Sequence, residues 1–227
     1  MILEGRVSVN GNVVSHIMEY VDLYGDDIRL DGHKITLIQK KTHLLLHKPV
    51  GYVTTRSDPN GRPTIYDLLP VLDHWIFPVG RLDMDSEGLL LLTNDGSLAD
   101  FLTDPASNVP KRYKVLIHRS MLENDRRALE HGVRIRHFTT KPCRIKHIGP
   151  DECGYWMSVT ISEGKNRQVR QMMHAFGYRV HRLLRTHIGP LALNELPVGA
   201  WRSVSEKELQ ALAELRSAQP DHHSTED

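Results

Sequence analysis

The pattern of apolar and polar positions divides the chain into short strands and helices that alternate irregularly. The clearest feature is the run Gly88-Leu89-Leu90-Leu91-Leu92-Thr93, which Asn94-Asp95-Gly96 closes. An uninterrupted apolar run ending at turn residues predicts a strand that is buried on both faces. The loop before it, residues 80–87, is rich in carboxylates and begins with a glycine. Because the strand would be rigid, it would hold that loop in a fixed position.

The remaining elements follow no regular strand–helix–strand period. Compact or alternating apolar segments predict further strands at 43–49, 112–117, 155–161 and 180–188. Helical spacing predicts helices at 64–69, 97–102, 121–131, 169–176 and 206–215. Irregular interleaving of this kind favours an α+β fold over a doubly wound parallel sheet.

The first 41 residues have a pattern of their own. Residues 6–11 alternate and end in Asn10-Gly11, a hairpin signal, and residues 28–32 repeat the strand-and-turn pattern. Lys40-Lys41-Thr42 is the predicted linker, after a segment too short to form a stable core alone. We therefore expect a small module at 1–41, a main domain at 42–215 and a disordered polar tail at 216–227.

Composition is that of a soluble globular protein. The chain has 227 residues, 40% of them hydrophobic and 25% charged, and its apolar runs are too short to span a bilayer. The N-terminus has neither a signal-peptide nor a transit-peptide pattern. Cys143 and Cys153 form neither a CxxC motif nor a disulfide framework, which predicts a cytoplasmic location.

Charge is distributed unevenly despite a net charge of +1. Residues 165–185 contain six lysines and arginines and no acidic residue, whereas aspartates gather at positions 22–31. A basic segment in a nearly neutral chain fits a polyanion bound at one face, and it fits a solvated helix face equally well.

The carboxylates of the loop at 80–87 allow several chemistries. Asp83, Asp85 and Glu87 imitate the start of a calcium loop, but position twelve of that loop is Asn94 instead of glutamate. Neither a cluster of histidines and cysteines nor a glycine-rich nucleotide loop accompanies them in the sequence. Carboxylate chemistry without a metal remains, alongside the simpler interpretation that Asp83 stabilises a turn and pairs with Arg81.

Several ordered motifs extend this picture over about residues 43–210. They are Gly80–Asp83 with Gly88–Gly96, His47–Tyr52, Arg112–Val115, Glu163–Met172, and Leu183–Arg185 with Ile188-Gly189. Together they resemble the pseudouridine synthases of the RsuA/RluB/RluE/RluF type. The resemblance implies the pseudouridine synthase fold, a mixed and largely antiparallel sheet with flanking helices and a central cleft. It also implies conversion of a uridine in ribosomal RNA to pseudouridine with no cofactor and no metal.

The resemblance also implies roles for individual residues. Asp83 matches the catalytic aspartate, Tyr113 the tyrosine that packs on the flipped base, and Arg170 the basic residue paired with the aspartate. Leu183 is expected in the base pocket. The residues expected to contact RNA are Arg81, Lys165, Arg167, Gln168, Arg182 and Arg185. The expected partner is ribosomal RNA or a pre-ribosomal particle, and the protein is expected to be a monomer that contacts no membrane.

Residues 5–32 resemble the second half of the small RNA-binding module of ribosomal-protein-S-four type. The two helices that usually lead this module are missing, so we expect either a truncated module or a late chain start. Its aspartates would make it a weak contact for RNA.

Two other functions remain open at this stage. One is a non-catalytic RNA-binding or ribosome-assembly factor on the same scaffold. The other is a glycoside hydrolase using Asp83 with Asp85 or Glu87, although such enzymes need two carboxylates set across a sugar. The basic segment and the 6% aromatic content argue against a sugar cleft.

Overall fold

The computed structural model describes residues 1–22, 25–35, 40–135 and 138–218. The chain divides into two compact units, Met1–Lys41 and Thr42–Asp227. Of the predicted disordered tail, residues 219–227 lie outside the described residues, whereas residues 216 and 217 belong to the last helix.

The first unit is a small antiparallel sheet of four short strands in the described residues. They are β1 (Val7–Val9), β2 (Asn12–Val13), β3 (Ile28–Leu30) and β4 (His33–Lys34), in the order β2-β1-β3-β4. Both hairpins turn at the predicted places, with positive φ at Asn10-Gly11 and Asp31-Gly32, as two-residue hairpin turns require. Arg6 pairs with Asp31 at 2.6 Å, so part of this unit's basic charge is neutralised internally.

The second unit is built on a large mixed sheet. Its strands are β5 (His43–Lys48), β6 (Phe77–Pro78), β7 (Glu87–Thr93), β8 (Lys111–Ile117), β11 (Arg144–Asp151), β12 (Gly154–Ile161), β13 (Val180–Ile188), β14 (Leu191–Ala192) and β15 (Trp201–Ser203). The main path is β11-β12-β8-β13-β7-β5-β15, while β14 pairs with β13 and β6 with β7. Strands β7 and β13 run parallel, and the other pairs in the described sheet are antiparallel. A separate hairpin joins β9 (Arg134–Ile135) to β10 (Phe138–Thr139).

The helices flank this sheet. They are α1 (Gly96–Thr103), α2 (Glu123–His131), α3 (Gln168–Ala175) and α4 (Glu206–Ser217), with 3-10 turns at Ile65–Leu68 and Pro105–Ser107. Asp95 caps α1 by accepting a hydrogen bond from the Leu98 amide, and Ser205 and Glu208 form a capping box at α4. Among the described residues, no helix is long and apolar enough to cross a membrane.

The α+β fold with a largely antiparallel sheet is confirmed, and so are the principal predicted strands and helices. Strand β11 was not predicted. It is an edge strand on which most side chains are exposed, so it lacks the apolar signal that reveals a strand in sequence.

Strand β7 is buried throughout, as its apolar run predicts. Leu89 and Leu91 pack into one core cluster together with residues of α1 and α4. Leu90 and Leu92 pack into another on the opposite face, around Ile65. Since both faces are covered, the start of this strand is a fixed support for the loop that leads into it.

Candidate active site

Residues 82–86 form a tight turn. Residues 48–54, which lie next to it in space, stabilise it with hydrogen bonds. The Lys48 ammonium donates to the backbone oxygens of Asp83 at 3.0 Å and Ser86 at 2.8 Å. The Thr54 hydroxyl donates to the Leu82 oxygen at 2.8 Å, and the Gly51 amide donates to the Met84 oxygen at 2.8 Å. The turn is therefore fixed by side chains and backbone that lie 28 to 38 residues earlier in the chain.

Lys48 is fully buried, with 0% of its surface exposed. Burial lowers its pKa to about 8, although the charges of Asp83, Asp85 and Glu87 act in the opposite direction. A lysine held in this way is costly to bury, and its hydrogen bonds to backbone oxygens offset that cost.

Asp83 and Tyr113 line one cavity of about 410 Å³, which lies in the usual size range for ligand pockets. The Asp83 side chain is 32% exposed and therefore reaches the cavity. Tyr113 is on β8, and Leu183 is on the adjacent strand β13. Leu183 also lines the cavity, as expected for a base-pocket residue.

The cation in contact with Asp83 is Arg167, not Arg170. Nη1 of Arg167 lies 3.4 Å from Oδ2 of Asp83, and its two terminal nitrogens donate to both oxygens of Asp85 at 2.9 and 2.7 Å. Arg167 has a positive φ of 47° immediately before α3. Its hydrogen bond lowers the pKa of Asp85.

Arg170 contacts the same turn at residues 85 and 86. Its Nη2 donates to the Asp85 backbone oxygen at 2.7 Å, and its Nε lies 3.4 Å from the Asp85 carboxylate. The prediction that Arg170 pairs directly with Asp83 is therefore wrong. Arg170 lies one turn further along α3, where its guanidinium is aimed at residues 85 and 86, so it supports the turn.

Gln168 is 3% exposed, and its side chain is engaged inside the protein. Its amide nitrogen donates to Glu163 at 2.6 Å, and its amide oxygen accepts from the Lys165 backbone at 3.1 Å. These contacts shape the loop at 163–168, and Gln168 also lines the cavity, so its contact with RNA stays a prediction.

Arg182 and Arg185, both expected to contact RNA, lie in different environments, with the Arg182 side chain 56% exposed. Arg182 pairs with the buried carboxylate of Glu87 at 2.9 Å and lies outside the cavity lining. Arg185 is 5% exposed, lines the cavity and donates from Nε to the Leu89 oxygen at 2.7 Å. Alternation along β13 turns Arg185 inward, so its assignment as a surface phosphate contact is corrected.

Arg81 and Lys165 agree better with expectation, because both are exposed and line the cavity. Lys165 lies 3.3 Å from Glu163, and its ammonium is 4.3 Å from the centre of the Phe138 ring. Arg81 makes no hydrogen bond or ion pair within the described parts of the chain. These side chains supply positive charge at the accessible part of the cavity.

Sequence reasoning missed Lys48 as the support of the turn, and it missed Lys111 altogether. Lys111 is 8% exposed and lines the cavity. It alternates with Tyr113 on β8, so both face the same side of the sheet. That two-residue spacing is visible in the sequence, but the cavity and the charges that give Lys111 its importance are not.

The carboxylates of the turn separate into different environments. Asp85 binds Arg167, Glu87 binds Arg182, and Asp83 alone of the three lines the cavity. No group of three or more metal-ligating side chains occurs within residues 1–22, 25–35, 40–135 and 138–218. The arrangement offers one carboxylate beside an aromatic ring in a cationic cavity, which suits attack on an electrophilic carbon or proton transfer next to a flat base.

Comparison with known proteins identifies relatives that match most of this chain. A family described as "RNA pseudouridylate synthase" matches residues 42–175. An "Uncharacterized RNA pseudouridine synthase" of Aquifex aeolicus is 36% identical over 213 residues, covering 93% of this chain and 85% of the relative. "Ribosomal large subunit pseudouridine synthase B" of Escherichia coli K12 is 37% identical and covers 99% and 79% of the two chains. A solved structure titled "Crystal structure of pseudouridylate synthase" superposes with a TM-score of 0.69 at 31% identity, covering 93% of this chain and 90% of the other.

Proposed function

This chain belongs to the RNA pseudouridylate synthase family, and on that premise we propose that it isomerises a uridine of large-subunit ribosomal RNA. The family membership makes it an isomerase that acts on uridine in RNA. The ribosomal target is supported by the relatives named as large-subunit enzymes, at 37–38% identity. A ribosomal RNA substrate would place the protein in the cytoplasm.

The observation that carries this function is the shared cavity of Asp83 and Tyr113. A uridine inside folded RNA must leave the stack to reach such a cavity, at a cost of a few kcal/mol. Stacking on an aromatic ring returns about 1–3 kcal/mol of that cost. Tyr113 would supply the ring, and the adjacent Leu183 would contact the same base.

Asp83 would act on the ribose of the flipped nucleotide. Its carboxylate would either attack the anomeric carbon or remove a proton from the sugar while the glycosidic bond breaks. Lys48 donates to its backbone oxygen, Thr54 donates to that of the preceding Leu82, and Arg167 lies beside its carboxylate. Their part is to orient the acid, which decides how often a reactive geometry is reached.

The detached uracil must remain in place until it rejoins the sugar through ring carbon five. A cavity closed by the bound RNA prevents its escape and excludes water. Arg81 and Lys165, exposed at the cavity, would bind the phosphates on either side of the target.

Pseudouridine mapping tests this function directly. Unmodified transcripts of large- and small-subunit ribosomal RNA would be incubated with the protein and mapped at nucleotide resolution. We expect one new pseudouridine in the large-subunit transcript. Tight binding of ribosomal RNA without any pseudouridine would instead support the non-catalytic assembly factor.

A further inference from the structure

Two cations lie on the sheet beside Tyr113, inside the cavity and apart from the Asp83 turn. Lys111 precedes Tyr113 by two residues on β8, and Arg185 on β13 is the register partner of Tyr113. Both line the cavity, and they are 8% and 5% exposed.

Neither cation is neutralised by a neighbouring acid. The Lys111 ammonium has no hydrogen bond or ion pair to any residue that the structure describes. Arg185 uses Nε to bind the Leu89 oxygen, but its buried Nη2 has no partner among the described residues. Buried polar groups without partners are rare in folded proteins, because each costs free energy that a bound ligand can recover.

Burial and the charges that face Lys111 from the surrounding elements make its protonated form less favourable than that of a lysine in water. Burial, followed by Arg185 on β13 and Lys141 before β11, lowers the pKa of Lys111 to about 8. Lys141 itself is fixed by the Pro105 and Asn108 oxygens at 2.9 and 2.8 Å. A positive charge held in the cavity in this way favours the binding of negative charge on a ligand.

The other charged groups of the cavity have different positions or partners. Asp83 is in contact with Arg167, and Lys165 with Glu163. Arg81 is exposed and therefore suited to a phosphate at the surface. Exposed cations such as Arg81 can bind a phosphodiester, whereas the buried pair, Lys111 and Arg185, is placed to bind the base.

We propose that Lys111, assisted by Arg185, binds a carbonyl oxygen of the flipped uracil and stabilises the negative charge that the base carries while it is detached. The inference rests on the proposed function of this cavity. Two residues along a strand span about 6.6 Å, which is comparable to the width of a pyrimidine ring. A base stacked on Tyr113 would therefore present its oxygen-bearing edge to the Lys111 ammonium.

The chemistry of isomerisation requires such a group. When the bond between C1′ and N1 breaks, its electron pair leaves with the base and spreads from N1 onto the O2 and O4 oxygens. The base then forms the bond between C5 and C1′, C5 loses its proton, and N1 gains one, so nothing else is consumed. Lys111 keeps its proton throughout and lowers the energy of the anionic base, as donors in an oxyanion site do.

The test compares Lys111→Met, Lys111→Arg and the control Lys114→Met, whose lysine is exposed on the same strand. The probe is a large-subunit ribosomal RNA transcript with tritium at C5 of uridine, from which isomerisation releases tritium. Single-turnover rates and RNA dissociation constants are measured between pH 6 and pH 10. Wild-type protein that releases no tritium from any ribosomal transcript would contradict the proposed function itself and is thereby distinguished from a failure of Lys111.

We expect Lys111→Met to lose about 100-fold or more in rate at pH 7, with the RNA dissociation constant unchanged within about twofold. The wild-type rate should fall as pH rises through about 8, because Lys111 then loses its proton. Lys111→Arg should be less impaired than Lys111→Met and should lack that decline, since arginine stays charged. Lys114→Met should match the wild type.

Two results would overturn the inference. One is a wild-type rate for Lys111→Met. The other is a rate loss matched by weaker RNA binding and a smaller salt dependence, which would make Lys111 a phosphate contact.

Discussion

Replacing Lys48 with methionine would remove the cation beneath the Asp83 turn while keeping a side chain of similar length. In the structure Lys48 donates to the backbone oxygens of Pro49, Asp83 and Ser86 at 2.8–3.0 Å. Two of these oxygens belong to the turn and would lose this donor. An unsatisfied buried carbonyl costs about 1–3 kcal/mol, so the pair costs about 2–6 kcal/mol.

A second effect acts in the opposite direction. Burial moves the pKa of Lys48 from 10.5 to about 8, and a shift of that size corresponds to about 3 kcal/mol. Methionine carries no such penalty. We therefore expect a net loss of no more than about 3 kcal/mol in the free energy of unfolding.

The rate should respond more strongly than the stability. A turn without its donors would let the Asp83 carboxylate leave its reactive position, and a displacement of about 1 Å can cost about 100-fold in rate. The Ser86 amide, which donates to the Asp83 oxygen at 3.0 Å, should exchange its hydrogen faster than in the wild type.

The assay combines guanidinium unfolding, hydrogen exchange of the turn and single-turnover tritium release, with Lys207→Met as the control. Lys207 is exposed on α4, so its replacement should leave all three readings unchanged. The reasoning about Lys48 is refuted if Lys48→Met keeps the wild-type rate and the wild-type exchange protection of the turn.

Other parts of the fold make further predictions. Gly88→Ala should lower the free energy of unfolding by several kcal/mol in guanidinium titrations, because φ is +110° and the new Cβ would lie 2.3 Å from a backbone oxygen of β13. The control Gly96→Ala should be tolerated, because the space around Gly96 is open. Lys111→Met should have a higher free energy of unfolding than the wild type at pH 7, because it removes a buried cation. This difference should shrink as pH rises from about 8 to 10.5, because Lys111 of the wild type loses its proton at a lower pH in the folded state than in the unfolded state. A difference that grows with pH would contradict this. Iodoacetamide should modify exposed Cys153 well before Cys143, because burial raises the pKa of the Cys143 thiol to about 12. Mass spectrometry of the native protein that shows Cys143 alkylated first would refute this prediction.

The sequence predicts well the features that are local in the chain. The apolar run at 88–93 is the buried strand β7, and the apolar spacing after residue 168 is helix α3.

Contacts between distant parts of the chain could not be read in this way. Arg167 and Arg170 belong to one motif, and only the way α3 packs decides which of them reaches Asp83. The contacts of Lys48 could not be foreseen because its acceptors are backbone oxygens 35 and 38 residues away, which no side-chain pattern reveals. Lys111 was missed because its importance depends on the charges and the cavity around it.

Replacing Asp83 with asparagine tests whether its carboxylate carries the reaction. The backbone oxygen of Asp83 holds the turn and is kept in this variant, so folding and RNA binding should stay close to wild type. On a large-subunit ribosomal RNA transcript modified by the wild type, we expect Asp83→Asn to bind normally and to form no pseudouridine. Pseudouridine formed by Asp83→Asn at the wild-type rate would contradict it.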